Sequence, residues 1–323
     1  MITGGTGALG SALVDRLMSR EDVPERIVVY ARGEHRHVEM AKKYGVNIRG
    51  DESPLRFFVG DVRDKSRLRR AMDGIDCVIH AAALKHVHVG EYNPGEFVQT
   101  NVYGTQNVVE CAIDAGVGRV VGVSTDKACG PVNLYGATKL CAEKLMLAAN
   151  AYAGGKARFS VCRYGNVSGS TGSVIPLWRE LAEKGLTLTV TDPNMTRFWM
   201  TIEEAVDFVL FSLENAIGGE IFVPRLPAYT VGDLARVVAD VYGNGSADLD
   251  IVGMRDGEKI HEAMISADES PWTHVADDLS HYVIAQGYWG HRSGYVFVPE
   301  GWGLSSDDPS LRMTTEQIAA GLP

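Results

Sequence analysis

No apolar run in this sequence approaches the ~20 residues that a bilayer-spanning helix needs, and the N-terminus lacks the basic-then-apolar pattern of a signal peptide. The expected location is the cytoplasm. Cysteine is scarce: Cys77, Cys111, Cys129, Cys141 and Cys162 make an odd number with no C-x-x-C pair. That argues against a disulfide or zinc framework and for reduced thiols, mostly small core residues, so no metal site is expected. Positive charge is also short, with 31 Lys and Arg against 41 Asp and Glu and a net charge of -10. A nucleic-acid partner would need a basic footprint that is absent, so an anionic ligand must be gripped by local arginines and lysines.

What is present is rhythm. With 45% hydrophobic residues the chain can bury one large core or two smaller ones. Helical patterns at Ala8 to Arg20, His35 to Tyr44, Lys65 to Met72, after Pro94, and at Leu134 to Ala151 alternate with strand patterns. The strands are expected at Arg26 to Tyr30, Leu55 to Val59, Cys77 to Ala81, Arg119 to Val123 and Arg158 to Arg163. Such alternation indicates an α/β fold, a doubly wound parallel sheet of the Rossmann-like kind. After about Gly165 glycine, proline and polar residues become frequent, and only Thr201 to Asn215 and Val231 to Val241 read as clear helices. The expected division is a cofactor-binding domain over residues 1–165, with part of 197–225 returning to it, and a smaller, mainly substrate-binding lobe over 166–323. Only Met1, Ile2 and Thr3 precede the first glycine, so either the first strand is unusually short or the sequence starts inside it.

The opening TGGTGALG places Gly4, Gly7 and Gly10 in a G-x-x-G-x-x-G spacing between strand and helix, with Thr6, Ala8 and Leu9 completing the loop. Glycines allow the sharp turn and let a pyrophosphate reach the amides and positive dipole end of the helix. The end of the second strand reports on the nicotinamide: Arg32 is a cation where an NAD enzyme usually carries an acidic residue, which favours NADP, although Glu34 nearby keeps NAD open. Asp61 and Val62 after the third strand are expected to meet the adenine. Ala81, Ala82 and Ala83 form a small-residue turn on which the cofactor could lie, and Lys85 and His86 follow it toward the cleft.

In VSTDKACGPVNLYGATK, Tyr135 and Lys139 stand at i and i+4, on one helix face. A phenol with a reference pKa of about 10 is a poor base, and a neighbouring ammonium would favour the phenolate. Thr125, at the end of the preceding strand, could hydrogen-bond the same substrate hydroxyl. The set reads as a proton-transfer unit for oxidising an alcohol.

The segments HAAALKHV, EYNP, TNVYGTQNVVECAIDAGV, STDKACGPVNLYGATKL, RYGNVSGSTGSVIP, DPNMTRFWMT and RDGEKIHEAMIS resemble the inverting UDP-N-acetylglucosamine 4,6-dehydratases among the extended short-chain dehydrogenase/reductases. The resemblance runs from the glycine loop to VPEGWGLSSD and is most specific at Asp126-Lys127, a pair that related sugar epimerases lack. It implies Lys127 as the base at C5 and Asp126 as the acid at C6. Lys127 would then need a lowered pKa and Asp126 a protonated phase. It further implies that Asn166, Ser173, Val174, Thr196, Arg197, Arg255, Glu258 and Lys259, with Lys85 and His86, hold the nucleotide-sugar, Arg197, Arg255 and Lys259 at its diphosphate. Relatives of this kind are dimers or larger rings, so a homo-oligomer is expected. Two features depart from the pattern: Asp256 where proline is common, and Cys129-Gly130 where Val or Ala followed by Asn is usual. A 4-epimerase would share the Tyr-Lys unit, and a non-catalytic nucleotide-binding scaffold would need none of it.

Overall fold

The computed structural model describes residues 1–48, 53–169, 173–243, 247–285 and 293–322. Its first half is a strict alternation: β1 (Ile2–Thr3), α1 (Ala8–Met18), β2 (Ile27–Ala31), α2 (Glu34–Lys43), β3 (Leu55–Val59), α3 (Lys65–Ala71) and β4 (Cys77–His80). Next come α4 (Val87–Tyr92), α5 (Pro94–Phe97), a π-helical stretch at Val98–Tyr103, α6 (Gly104–Ala115), β5 (Arg119–Thr125), α7 (Leu134–Tyr152) and β6 (Arg158–Tyr164). The second half contains β7 (Asn166–Val167), α8 (Val174–Glu183), β8 (Leu188–Val190), β9 (Thr196–Met200), α9 (Ile202–Asn215), β10 (Glu220–Pro224), β11 (Ala228–Thr230) and α10 (Val231–Gly243). It ends with β12 (Leu249–Ile251), β13 (Ala263–Ile265), β14 (Thr273–Ala276), β15 (His281–Ala285), β16 (Tyr295–Phe297), β17 (Leu304–Ser305) and α11 (Thr315–Ala320).

The large sheet has the order β16-β14-β15-β10-β6-β5-β4-β1-β2-β3. From β10 to β3 every pairing is parallel, and β15, β14 and β16 close the other edge antiparallel. The order reverses between β1 and β4, and in open α/β sheets ligands bind in the crevice beyond the carboxyl ends of the strands at that point. Central strands such as β2 (IVVYA) are buried along nearly their whole length, as expected when helices cover both faces. Val223, Ala228, Met264 and Leu304 share this main core with β1 to β6 neighbours, while Trp178, Leu188, Trp199, Tyr229, Leu234 and Ile318 build a second, smaller one.

Three elements go beyond what the sequence pattern disclosed. Helix α8 begins directly after the glycine-rich SGSTGS segment and buries Ile175, Trp178 and Ala182 at helical spacing. Strands β14, β15 and β16 return to the main sheet although they follow a stretch rich in loops. The run after Pro94 is helical but not uniformly so, because a π-helical stretch separates α5 from α6.

Two close approaches fix the site. Gly122 in β5 lets Met146 of α7 sit against the strand, since a Cβ there would lie 2.9 Å from its Cε. Gly136, in the first turn of α7, meets the carbonyl oxygen of Lys127, and a Cβ at this position would collide with it. Helix α7 is thus set against the loop after β5. Its start is held by the Asn133 side chain, which accepts the Gly136 amide at 2.8 Å.

Candidate active site

The nucleotide end of the cleft is built from backbone. Gly4 has φ +68°, and a Cβ there would approach the Ala82 amide nitrogen to 2.9 Å, so the loops after β1 and β4 touch only because Gly4 lacks a side chain. Gly10 is equally constrained against Gly4 and Gly5. Gly7 is the N-cap of α1, where no side chain caps the helix and no acidic residue lies in the first turn, so the amides around Ala8 and Leu9 remain for an anion. Thr6 borders this turn and is half-buried. By contrast α9 closes its own N-terminus with a Thr201–Glu204 capping box.

At the end expected to meet the adenine, Arg32 is exposed and stands 3.9 Å from Asp61. The Asp61 carboxylate is engaged by Arg63 through its amide and guanidinium. Burial would raise the Asp61 pKa, but the Arg63 hydrogen bonds and charge bring it below the usual range. Val62 turns its side chain inward, where a Cβ at Gly104 would meet it at 2.7 Å, so only its backbone can face an adenine. The Ala81 to Ala83 turn leads to Lys85 and His86, both exposed. It is fastened by a residue the sequence reading passed over: Asn101, in the π-helical stretch, accepts the Leu84 amide at 2.8 Å and donates to the Leu84 carbonyl at 2.9 Å.

The chemical centre lies where β5 ends. Thr125 caps a single 3-10 turn at Asp126–Ala128, and its hydroxyl donates to Asp126 Oδ1 at 2.9 Å. The Thr125 hydroxyl lies near enough to act on the Tyr135 phenol. Burial raises the Tyr135 phenol, opposed first by the Lys127 charge and then by the Thr125 hydroxyl. Lys127 is thus a cation acting on the phenol that the sequence did not point to. Lys139 instead donates to the Val123 carbonyl at 2.6 Å, and burial lowers its pKa to about 8 despite the nearby Glu143.

Asp126 is fully buried, and its Oδ2 has no partner among the described residues. Lys127 Nζ lies 3.1 Å from Asp126 Oδ1 and 3.4 Å from Glu262 Oε1, and 3.5 Å from Asn166 Oδ1. Burial alone would lower the Lys127 pKa, but Asp126 and Glu262 together raise it above the ordinary lysine value, with Arg197 opposing them. The lowered lysine that the sequence suggested is absent from this arrangement: two carboxylates hold the ammonium charged. Glu262, only 3% exposed, was quoted in RDGEKIHEAMIS yet not singled out, because a loop offers no periodicity to say which side chains point inward.

The expected substrate residues divide. Asn166 is at the site and exposed, and the buried Ser173 hydroxyl, at the N-cap of α8 beside Val174, has no partner among the described residues. Residues 170–172 of the SGSTGS loop lie outside the described residues. Arg197 is nearly buried and donates to the Thr196 and Ile260 carbonyls at 2.7 and 3.1 Å. Thr196 turns its hydroxyl to His261 and Ser306, away from any substrate role for that group. Glu258 accepts the Arg255 amide, while among the described residues the exposed Arg255 guanidinium reaches only His88, at 3.4 Å. Lys259 donates to the Cys129 carbonyl at 2.7 Å. The unusual Cys129-Gly130 pair meets the demands of its positions: Cys129 is a small buried side chain, and Gly130 has φ +54°, a conformation that asparagine also tolerates. Asp256 is exposed.

The chain is 47% identical over 98% of its length to a UDP-N-acetylglucosamine 4,6-dehydratase (inverting) of Campylobacter jejuni, covering 95% of that protein. It is 40% identical over 87% of its length to a UDP-glucose 4-epimerase of Rickettsia rickettsii, covering 81% of it. Among solved structures, the dTDP-glucose 4,6-dehydratase DesIV from Streptomyces venezuelae, with NAD and TYD bound, matches at TM-score 0.70 and 29% identity, over 80% of this chain and 85% of that one. No helix among the described residues is long and apolar enough to cross a membrane. With the polysaccharide biosynthesis protein model matching residues 1–285, the chain belongs to that family.

Proposed function

We propose that this protein is a UDP-N-acetylglucosamine 4,6-dehydratase that inverts C5, acting with a tightly held nicotinamide cofactor. The observation that carries the reading is the buried Asp126–Lys127 pair beside Thr125 and Tyr135. An epimerase needs only the tyrosine system, whereas elimination of water needs a second acid and base next to it. The more similar relative carries the dehydratase name, which favours this reading over the epimerase.

The residues fit the cofactor. Gly4, Gly7 and Gly10 with the uncapped α1 amides suit its pyrophosphate, and Asp61 with the Val62 backbone borders the adenine. Arg32, with Arg63 beside it, offers cations for a 2'-phosphate and favours NADP over NAD. The Ala81 to Ala83 turn, Lys85, Tyr135 and Lys139 border the nicotinamide end. When bound, the nicotinamide supplies an acceptor for the C4 hydride and a donor of that hydride to C6.

The protein's own part is proton handling. Tyr135, near Thr125 and facing the Lys127 charge, takes the C4 hydroxyl proton as that carbon becomes a ketone. The ketone acidifies C5, whose proton passes to the Lys127 amine. Asp126, protonated in this phase, gives its proton to the C6 hydroxyl, which departs as water. A proton delivered to C5 from the opposite face inverts that centre. Asn166, Ser173, Val174, Arg197, Arg255 and Glu258, with Lys85 and His86, form the sugar and diphosphate side of the cleft. We place the protein in the cytoplasm, working as a homo-oligomer.

The test is incubation of the purified protein with UDP-N-acetylglucosamine, following mass and reduced-nicotinamide absorbance. Loss of one water without lasting cofactor reduction supports the dehydratase. A stereoisomer of unchanged mass means epimerase, and inertness toward every UDP-hexose means a binding scaffold.

A further inference from the structure

The dehydratase reading leaves one step without a residue. A lysine that takes a proton from carbon must first lose its own, yet Lys127 sits between two buried carboxylates that favour the ammonium. The Lys127 side chain is 22% exposed, but the carboxylates beside its ammonium, Asp126 and Glu262, are 0% and 3% exposed, so a buried receiver lies within reach of the proton on the protein side.

Glu262 has the geometry of that receiver. Its Oε1 lies 3.4 Å from Lys127 Nζ, and its Oε2 is 4.0 Å from Lys259 Nζ and has no hydrogen-bond partner among the described residues. Its backbone is fixed on both sides by Ser306, whose hydroxyl accepts the Glu262 amide at 2.9 Å and whose own amide donates to the Glu262 carbonyl at 2.8 Å. Asp126 flanks the same ammonium at 3.1 Å. With Asp126 already protonated in the phase in which it serves the leaving hydroxyl, Glu262 is the carboxylate beside the ammonium that is left to receive its proton.

We propose that Glu262 is the proton receiver of Lys127, a positioning residue that takes the ammonium proton to arm Lys127 as the C5 base and returns it later in the cycle; this rests on the dehydratase reading. The transfer is balanced: Lys127 ammonium and Glu262 carboxylate become Lys127 amine and Glu262 carboxylic acid, with no net charge created. Burial favours this neutral pair over the ion pair, as it does for charges in a dry site generally. The groups facing Glu262 are Lys127 and Asp126 from the loop after β5, Arg197 from β9, and Lys259 from its own segment. Burial, foremost, and Asp126 raise the Glu262 pKa, against Lys127, Arg197 and Lys259. The pair titrates as a unit, and its singly protonated form is the working one.

Glu262→Gln keeps the shape and removes the receiver. With wild type as reference, the measurements are transient reduced-nicotinamide absorbance, deuterium exchange at C5, and kcat from pH 6 to 10. The expected variant still oxidises C4, loses about a hundredfold in C5 exchange and water loss at pH 7, and recovers part of that as alkali deprotonates Lys127 directly. The rising limb of its kcat profile moves at least one unit toward alkali. Glu262→Asp, retaining a carboxylate, restores part of the neutral-pH rate, and thermal melting of both variants shows whether they fold. Exchange and pH profile equal to wild type overturn the assignment. So does equal loss of oxidation and exchange at every pH, the mark of a merely structural residue, or an unfolded Gln variant paired with a folded Asp variant that regains nothing. A wild type that releases no water removes the dehydratase reading and the assignment with it, and is thereby distinct from failure of the assignment alone.

Discussion

Lys259 Nζ donates to the Cys129 carbonyl at 2.7 Å, joining the segment before β13 to the loop that carries Asp126 and Lys127. A hydrogen bond from a charged donor is worth about 1.5–3 kcal/mol. Its use here bears on what Lys259 does: an amine engaged with the catalytic loop sets geometry, whereas a free one would grip a diphosphate. Lys259→Met is expected to lower kcat about tenfold with little change in KM. A rise in KM for the nucleotide-sugar at unchanged kcat would return Lys259 to the diphosphate.

Gly136 carries the opposite kind of constraint, a contact that only absence of a side chain permits. Gly136→Ala forces a Cβ against the Lys127 carbonyl oxygen, so α7 and Tyr135 must move away from Asp126 and Lys127. Misplacement by about 1 Å can cost roughly a hundredfold in rate. The expected result is a folded protein with unchanged cofactor content and kcat reduced by about that factor, checked by steady-state kinetics alongside a thermal melt. Wild-type kcat would show that the helix and loop can part without consequence.

Two proton systems within one loop and helix should separate on mutation. Tyr135→Phe removes the group that accepts the C4 proton and is expected to abolish both transient absorbance and water loss, a decrease of about 10²–10⁴. Lys127→Ala should leave transient C4 oxidation but stop deuterium exchange at C5. Retained exchange in that variant would assign the C5 base to another residue.

His80 gives a pH prediction for stability. It is buried between the Thr3 and Thr105 hydroxyls at 2.7 and 3.0 Å, and burial, with Lys139 adding to it, lowers its pKa to about 3. The unfolded chain would protonate this imidazole near 6.5. Because the folded value is depressed, its contribution is fully present above about pH 6.5 and is lost as pH falls toward 3, at up to about 1.4 kcal/mol per unit. Urea unfolding of wild type and His80→Asn at pH 7, 6 and 5 should show the wild type declining more steeply. Parallel declines would mean that other groups carry the acid sensitivity.

The parts of this molecule governed by short-range rules could be read from the chain. Glycine spacing after β1, the i and i+4 pairing of Tyr135 and Lys139, and the alternation that builds β1 to β6 all follow from local geometry. What stayed hidden depends on distant segments meeting. Glu262 reaches Lys127 only because the chain between β12 and β13 crosses over the loop after β5. Asn101 fastens the Ala81 to Ala83 turn from a π-helical stretch that periodicity does not announce. Helix α8 was masked by the glycine and proline around its start, although Ile175, Trp178 and Ala182 carry the helical spacing. The direction of the Lys127 shift was misjudged for the same reason: burial was foreseeable from sequence, a second carboxylate was not.

The order of the large sheet has a consequence for how the protein comes into being. Strand β6 is covered on its outer side by β10, and β10 by β15. A chain emerging from the ribosome N-terminus first has completed the glycine loop, Thr125, Tyr135 and β6 long before β10 and β15 exist. During that interval β6 is an open edge, a row of unpaired amides and carbonyls beside apolar residues, which is a template for aggregation. The N-terminal half therefore carries Thr125 and Tyr135, the proposed C4 oxidation system, and cannot safely stand alone. A fragment ending near Gly165 should be sticky and short-lived, and the antiparallel strands at the far end serve as the seal over that edge in the finished protein.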